Sequence, residues 1–138
     1  MNEGAEHSAR AAAARPTENV IGVKSFRFAL EVIRLYCQLR DQREYVISKQ
    51  LLRSGTSIGA NVEEAVSAES RRDFVSKMAI ATKEARETKY WLRLLQESEI
   101  AQIDASRQMA QVEELIRILT SIVKTTKENP KPARSPNS

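Results

Sequence analysis

The chain has 138 residues, which is enough for one domain with a single hydrophobic core and too few for a second core. Its four glycines and four prolines are too few for an all-β protein with many turns, and its alanine, leucine and charged helix formers favour an all-α fold. The net charge of +4 permits contact with nucleic acid but does not indicate a dedicated phosphate-binding arm.

Hydropathy and cysteine content restrict the class of protein further. No stretch approaches the ~20 apolar residues that span a bilayer, and the first residues lack the basic start and leucine-rich middle of a signal peptide. We therefore expect a cytoplasmic protein with no membrane partner. Cys37 is the only cysteine, so no internal disulfide can form, and its apolar neighbours predict a buried position.

The two ends of the chain differ in composition from its middle. Residues 1–24 contain no apolar residue larger than Val20 and Ile21, and residues 129–138 are rich in proline. These compositions predict disordered tails, which leaves residues 25–128 as the folded domain.

Four segments of that domain show helical periodicity. The first begins with Ser25 as an N-cap, and the third follows Ser70, whose hydroxyl can cap while Asp73 completes an acidic capping box. The segments end near Arg40, Ala68, Glu99 and Lys127. Their apolar stripes are Phe26, Ala29, Leu30, Ile33, Tyr36 and Cys37; Leu51, Gly55, Ile58, Val62 and Ala65; Phe74, Met78, Ala81, Ala85, Thr88, Leu92 and Leu95; and Met109, Val112, Ile116, Leu119 and Val123.

Short connections join the four segments, at about residues 41–44, 69–70 and 99–104. Such lengths suit antiparallel neighbours, so the sequence predicts an up-down-up-down four-helix bundle. The stretch RSGTSIGANVEEA continues the second apolar stripe despite its glycines. Gly55 and Gly59 are four residues apart, and they predict a face on which another helix approaches closely, including at a contact between subunits.

A polar stripe borders the apolar stripe on the second and third segments. Its members are Ser54, Ser57, Asn61 and Glu64 on the second segment and Glu84 and Glu87 on the third. A di-iron or di-manganese centre would need Glu-x-x-His pairs, but the only histidine is His7 in the tail. Catalysis would need a nucleophile with a base at suitable spacing, which is missing. We therefore expect no metal, no cofactor and no enzymatic activity, and we interpret the stripe as a structural network with Arg53, Arg86 or Lys89.

The same two segments resemble a known family. RSGTSIGANVEEA followed by DFVSKMAIATKEARETKYWLRLL is similar to the four helix bundle proteins, also described as 23S rRNA-intervening-sequence proteins. The resemblance covers residues 26–124, and many members have glycine where this chain has Ala65. The residues that carry it are Ser57, Ile58, Asn61, Glu64, Glu84, Glu87, Tyr90 and Trp91.

The resemblance implies an antiparallel four-helix bundle that assembles into a ring, typically a homopentamer, without an established activity. Related proteins include the accessory variability determinants of diversity-generating retroelements, which engage a reverse transcriptase and nucleic acid. Other relatives are encoded inside insertions in ribosomal RNA genes. By analogy, the partners expected here are further copies of the chain, RNA or DNA, and a reverse transcriptase or another protein.

Basic residues of the third segment are candidates for contact with phosphates. Arg71 and Arg72 lie at its start, and Lys83, Arg86, Lys89 and Arg93 share one helix face. A solvated surface with intrahelical ion pairs is the alternative interpretation. The sequence thus predicts a non-enzymatic, self-associating module that binds RNA or DNA, and the alternative is a protein-interaction adaptor with no nucleic-acid role.

Overall fold

The computed structural model describes residues 16–128, and every regular element in that range is an α-helix. This confirms the all-α prediction and the number of helices. The helices are α1 (Pro16–Asp41), α2 (Ile47–Val66), α3 (Arg71–Ser98) and α4 (Ser106–Glu128).

The helices are arranged in a cycle. α2 packs against α1 and α3, and α4 packs against α3 and α1. Ion pairs show that α2 and α3 run in opposite directions, because Arg53 pairs with Glu87 while Glu64, further along α2, pairs with Lys77, which comes earlier in α3. The connections are short, so each helix reverses the direction of the one before it.

The core lies along the axis of this cycle. All five residues of the predicted α2 stripe are buried, as are six of the seven predicted on α3. On α4 the buried side chains shift by one position toward Leu115 and Ile122, while Met109, Ile116 and Val123 pack partly buried against the core. Periodicity therefore identified the inner faces of three helices.

The first helix differs from its prediction in extent. α1 includes residues 16–24, which the composition assigned to a disordered tail, and Ser25 is a buried mid-helix residue and not an N-cap. Ile21 is fully buried because it continues the inner face of α1 by two turns beyond Phe28. The tail predictions for residues 1–15 and 129–138 lie outside the described residues.

The inner face of α1 also differs from its prediction. The buried side chains of α1 are Ile21, Ser25, Phe28, Val32, Leu35 and Leu39. The predicted stripe lies on the opposite side, where Phe26 is 60% exposed and Ile33 is 42% exposed. Cys37 is exposed as well, so its predicted burial was wrong. The reason is that α1 carries two apolar faces, and spacing alone cannot decide which of them meets the bundle.

Two different caps begin α2 and α3. Ser70 caps α3 as predicted, since its hydroxyl accepts a hydrogen bond from the Asp73 amide at 3.1 Å. At α2 the residue before the helix provides no side-chain cap, and Glu44 takes that role. Its carboxylate accepts hydrogen bonds from the amides of Val46, Ile47 and Ser48 at 3.2, 3.0 and 2.7 Å. This buried carboxylate fixes the turn between α1 and α2.

Candidate binding surfaces

A polar network lies on the surface between α2 and α3. Arg53 on α2 forms ion pairs with Glu84 Oε2 at 3.2 Å and with Glu87 Oε2 on α3. Ser57 Oγ donates to Glu84 Oε2 at 2.9 Å, and the Trp91 indole N–H donates to Glu87 Oε2 at 3.0 Å. Donors from the same chain therefore hold both carboxylates, which supports the structural interpretation of the polar stripe.

The surroundings of Glu87 favour its charged form. The hydrogen bond from Trp91 is the largest influence and lowers the pKa of Glu87, partial burial raises it, and Arg53 lowers it again. The net pKa is below the ordinary glutamate value, so Glu87 is ionised at neutral pH. It is therefore poorly suited to act as a general acid there.

The other members of the stripe lie outside this network. Asn61 Nδ2 donates to the backbone oxygen of Ser57 at 2.8 Å, within its own helix. Glu64 pairs with Lys77 at 3.4 Å, and both side chains are more than one third exposed. Of the three predicted basic partners, Arg53 alone joins the network, because α3 turns Arg86 and Lys89 away from α2.

The two glycines of α2 face α1 of the same chain. A Cβ placed on Gly55 would lie 2.8 Å from both methyl groups of Val32, and one placed on Gly59 would lie 3.4 Å from the Ser25 backbone oxygen. The predicted close approach of a helix is therefore present, and the helix is α1. Gly55 is thus buried against α1, and Gly59, which is partly exposed, faces the same helix.

The six predicted phosphate-contact residues divide into two groups. Lys89 pairs with Glu113 at 3.5 Å, Arg93 pairs with Glu97 at 2.8 Å, and Arg71 donates to a backbone oxygen of α4. The remaining residues are exposed and make no ion pair with any other residue in the range 16–128; they are Arg72, Lys83 and Arg86. Only three of the six predicted cations of α3 are therefore left without an ion pair or hydrogen bond in this range.

Sequence reasoning assigned most of the outer face of α1 to the core and assigned its first residue, Val23, to the disordered tail. The face consists of Val23, Phe26, Leu30 and Ile33, which are between 40% and 60% exposed. Their spacing of three, four and three residues places them along one line of the helix. The signal was present in the sequence, because a helix with apolar residues on two opposite faces must leave one of them outside a four-helix core.

Neither a metal centre nor a membrane span is indicated in the described part of the chain. Residues 16–128 contain no group of three or more histidine, cysteine or acidic side chains placed to hold a metal ion. No helix in this range is long and apolar enough to cross a bilayer.

Comparison with known proteins identifies the family of the chain. The sequence profile of the 23S rRNA-intervening sequence proteins matches residues 17–121. The chain belongs to this family. Among solved structures, it is similar to a crystal structure from Bacteroides thetaiotaomicron, described as a protein with unknown function from the S23 ribosomal protein family. The two are 47% identical, with a TM-score of 0.74 over 78% of this chain and 98% of that one. No curated protein matches the chain.

The family match agrees with the structure in its extent. It begins one residue after the first described residue of α1 and reaches well into α4, so it covers all four helices. It thereby confirms the resemblance drawn from the α2 and α3 motifs and includes residues 17–24, which had been predicted to lie outside the domain. In this family member, α2 continues past Ala65 by one residue before it ends.

Proposed function

We propose that this member of the 23S rRNA-intervening sequence family is a non-enzymatic scaffold that self-associates through the outer face of α1. The observation that carries the proposal is the line of exposed apolar residues Val23, Phe26, Leu30 and Ile33. A contiguous apolar patch of this kind marks an interaction site on a soluble protein. Its spacing is that of a helix–helix seam, so the surface that covers it is expected to be helical.

The charges beside this seam favour a ring over a two-fold dimer. Arg27 and Arg34 each follow a seam residue directly, and both are exposed on the same edge of the seam. If two α1 helices paired antiparallel around a two-fold axis, these arginines would face their own copies and repel each other. A head-to-tail contact with a different surface of the next subunit avoids that repulsion and forms a ring when the rotation between subunits closes. We propose five subunits, by analogy with the family.

RNA or DNA is the proposed ligand of the assembled scaffold. Arg72, Lys83 and Arg86 are exposed cations of α3 that no carboxylate of residues 16–128 neutralises. A ring would repeat them around its axis, so that weak contacts with phosphates act together. The chain's net charge of +4 has the sign that such binding requires.

The mass of the purified protein in solution tests the assembly. Light scattering at tens of micromolar should give a multiple of 15.6 kDa. Phe26→Ser should lower that mass while circular dichroism shows unchanged helix content. Tyr90→Ser is the matched control, since Tyr90 is 54% exposed on α3 and should leave the mass unchanged. A wild-type monomer would refute the scaffold, and an unchanged mass in Phe26→Ser would remove α1 as the contact.

Fluorescence anisotropy with short RNA and DNA tests the ligand. Binding should weaken steeply between low and physiological salt and should show little sequence preference. Changing Arg72, Lys83 and Arg86 to Gln should abolish it. The control changes Lys49, Arg117 and Lys124 to Gln, which removes the same charge from exposed sites elsewhere. An equal loss of affinity in both variants would show that the nucleic acid is attracted only by the net charge of the protein.

A protein-interaction adaptor is the second candidate, and the same outer face of α1 favours it. In that case the seam receives a helix of another protein and the α3 cations have no ligand. A monomeric wild-type protein that binds neither RNA nor DNA at low salt would favour this function over the first.

A further inference from the structure

A groove of about 440 Å³ lies between α1 and α4, on the side of the bundle away from α2 and α3. Four cationic side chains and two carboxylates line it, which leaves an excess of two positive charges. Its volume is in the range of pockets that hold small molecules. The cations are Lys24, Arg27, Arg34 and Arg107, and the carboxylates are Glu31 and Glu114.

Ion pairs occupy both ends of the groove. At one end Lys24 pairs with Glu114 at 3.1 Å. At the other end Glu31, whose side chain is 15% exposed, pairs with Arg34 at 3.2 Å and Arg107 at 3.5 Å. One carboxylate cannot use all the N–H groups of two guanidinium groups, so donors remain on both arginines. Glu31 thereby holds two arginines in place and leaves some of their N–H groups without an acceptor.

The middle of the groove contains an unmatched donor and an unmatched acceptor. Arg27 lies between the two ion-paired ends and makes no hydrogen bond or ion pair with the rest of residues 16–128. Gln111 lines the same groove from α4, and its Oε1 atom is buried without a hydrogen-bond donor from these residues. Because this oxygen is buried, a ligand can donate to it only after the Gln111 side chain turns toward the groove. A ligand that does so gains affinity, since a buried amide oxygen without a donor is costly.

We propose that this groove binds a small phosphate ester that carries a hydroxyl group close to the phosphate. The phosphate accepts hydrogen bonds from Arg27 and from the remaining donors of Arg34 and Arg107, because guanidinium groups match the geometry of phosphate oxygens. The ligand's hydroxyl donates to Gln111 Oε1. A sugar phosphate, either free or within an RNA chain, has both groups at the required proximity.

The groove adjoins the seam, because Leu30 is one of its lining residues and Arg27 and Arg34 lie on the edge of the seam. It contains none of the α3 cations. The groove can therefore bind its ligand whether or not the chain binds nucleic acid through α3. The mass of each groove variant, measured by light scattering, shows whether a lost affinity is caused by lost assembly.

Isothermal titration calorimetry of the full chain tests the proposal, with ribose 5-phosphate and inorganic phosphate as probes. Ribose 5-phosphate should bind once per chain, and Arg27→Gln should weaken it about tenfold. Gln111→Leu should weaken ribose 5-phosphate but leave inorganic phosphate unchanged, because inorganic phosphate does not need the hydroxyl contact. Arg117→Gln is the control for charge, since Arg117 is an exposed arginine of α4 outside the groove.

Three results would overturn the proposal: no heat at probe concentrations of about 1 mM, unchanged affinity in both Arg27→Gln and Arg34→Gln, or equal loss in Arg117→Gln. Arg27 and Arg34 are exposed, so both variants should fold, and thermal melts verify this. A short RNA without a terminal phosphate separates the two sources of the ligand. If it displaces ribose 5-phosphate, the groove binds backbone phosphates, and if it does not, the ligand is a free sugar phosphate.

Discussion

Two carboxylate sites next to α2 show how differently one bundle uses the same functional group. In the turn before α2, Glu44 is 8% exposed and binds three backbone amides. On the α3 side, Glu87 is 37% exposed and binds Arg53 and Trp91. Removing Glu44 leaves three amides at the start of α2 without an acceptor, and the Ser48 amide is buried, whereas removing Glu87 leaves donors that water can reach. Stability therefore depends on the first site much more than on the second.

The largest expected effect is at Glu44. Glu44→Ala should lower the free energy of unfolding by about 2–3 kcal/mol, because the first amides of α2 lose a charged acceptor in a buried site. Urea denaturation measures the loss. Glu63→Ala is the control, since Glu63 is an exposed carboxylate on α2 and should change stability by less than about 0.5 kcal/mol. Similar losses in the two variants would contradict the comparison.

Part of the pH dependence of stability should originate at Glu44. Burial by itself raises the pKa of this carboxyl group, but the hydrogen bonds from Ser48, Ile47 and Val46 outweigh it and leave the pKa below the ordinary value. The folded protein thus favours the charged form, so the stabilisation is present above the unfolded-state pKa and is lost as the pH falls through the lower folded-state pKa. Thermal melts between pH 7 and about pH 3 should fall less steeply for Glu44→Gln than for the wild type.

The next effect concerns the packing of α1 on α2. Gly55→Ala should destabilise the bundle by about 1–2 kcal/mol, since the new Cβ meets the stiff branched side chain of Val32. Gly22→Ala is the matched control, because nothing lies within 4 Å of a Cβ at that position. There the better helix propensity of alanine should stabilise the protein by about 0.5–1 kcal/mol. The two substitutions should therefore change stability in opposite directions. A gain in stability at both positions would show that α1 and α2 are further apart at Gly55 than the structure indicates.

The smallest effect is expected in the polar network. Arg53→Gln should cost less than about 1 kcal/mol, because the guanidinium group is half-exposed and solvent screens its pairs with Glu84 and Glu87. Raising the salt concentration should reduce the difference between variant and wild type. A loss as large as that of Glu44→Ala, independent of salt, would show that the two carboxylate sites are equally important for stability.

The comparison also shows which parts of each site could be predicted. The carboxylates of α3 were identified as part of a structural network, because their spacing beside an apolar stripe is a local property of one helix. The capping role of Glu44 was missed, because Glu44 lies three residues before the first residue of α2, outside the positions at which capping residues are usually recognised. The groove between α1 and α4 was also missed, since it depends on which side chains two helices distant in sequence bring together.

The sequence by itself determined the four helices, the Ser70 cap, the inner faces of α2, α3 and α4, and the family. These follow from periodicity, capping and motif spacing, which are properties of a single segment. The tertiary structure decided which of the two apolar faces of α1 enters the core, that α1 is the helix that packs on Gly55, and that Lys89 pairs with Glu113 on α4. Those outcomes depend on the positions of neighbouring helices: α1 offers apolar side chains on both sides, and the contact with α2 selects the side that carries Val32.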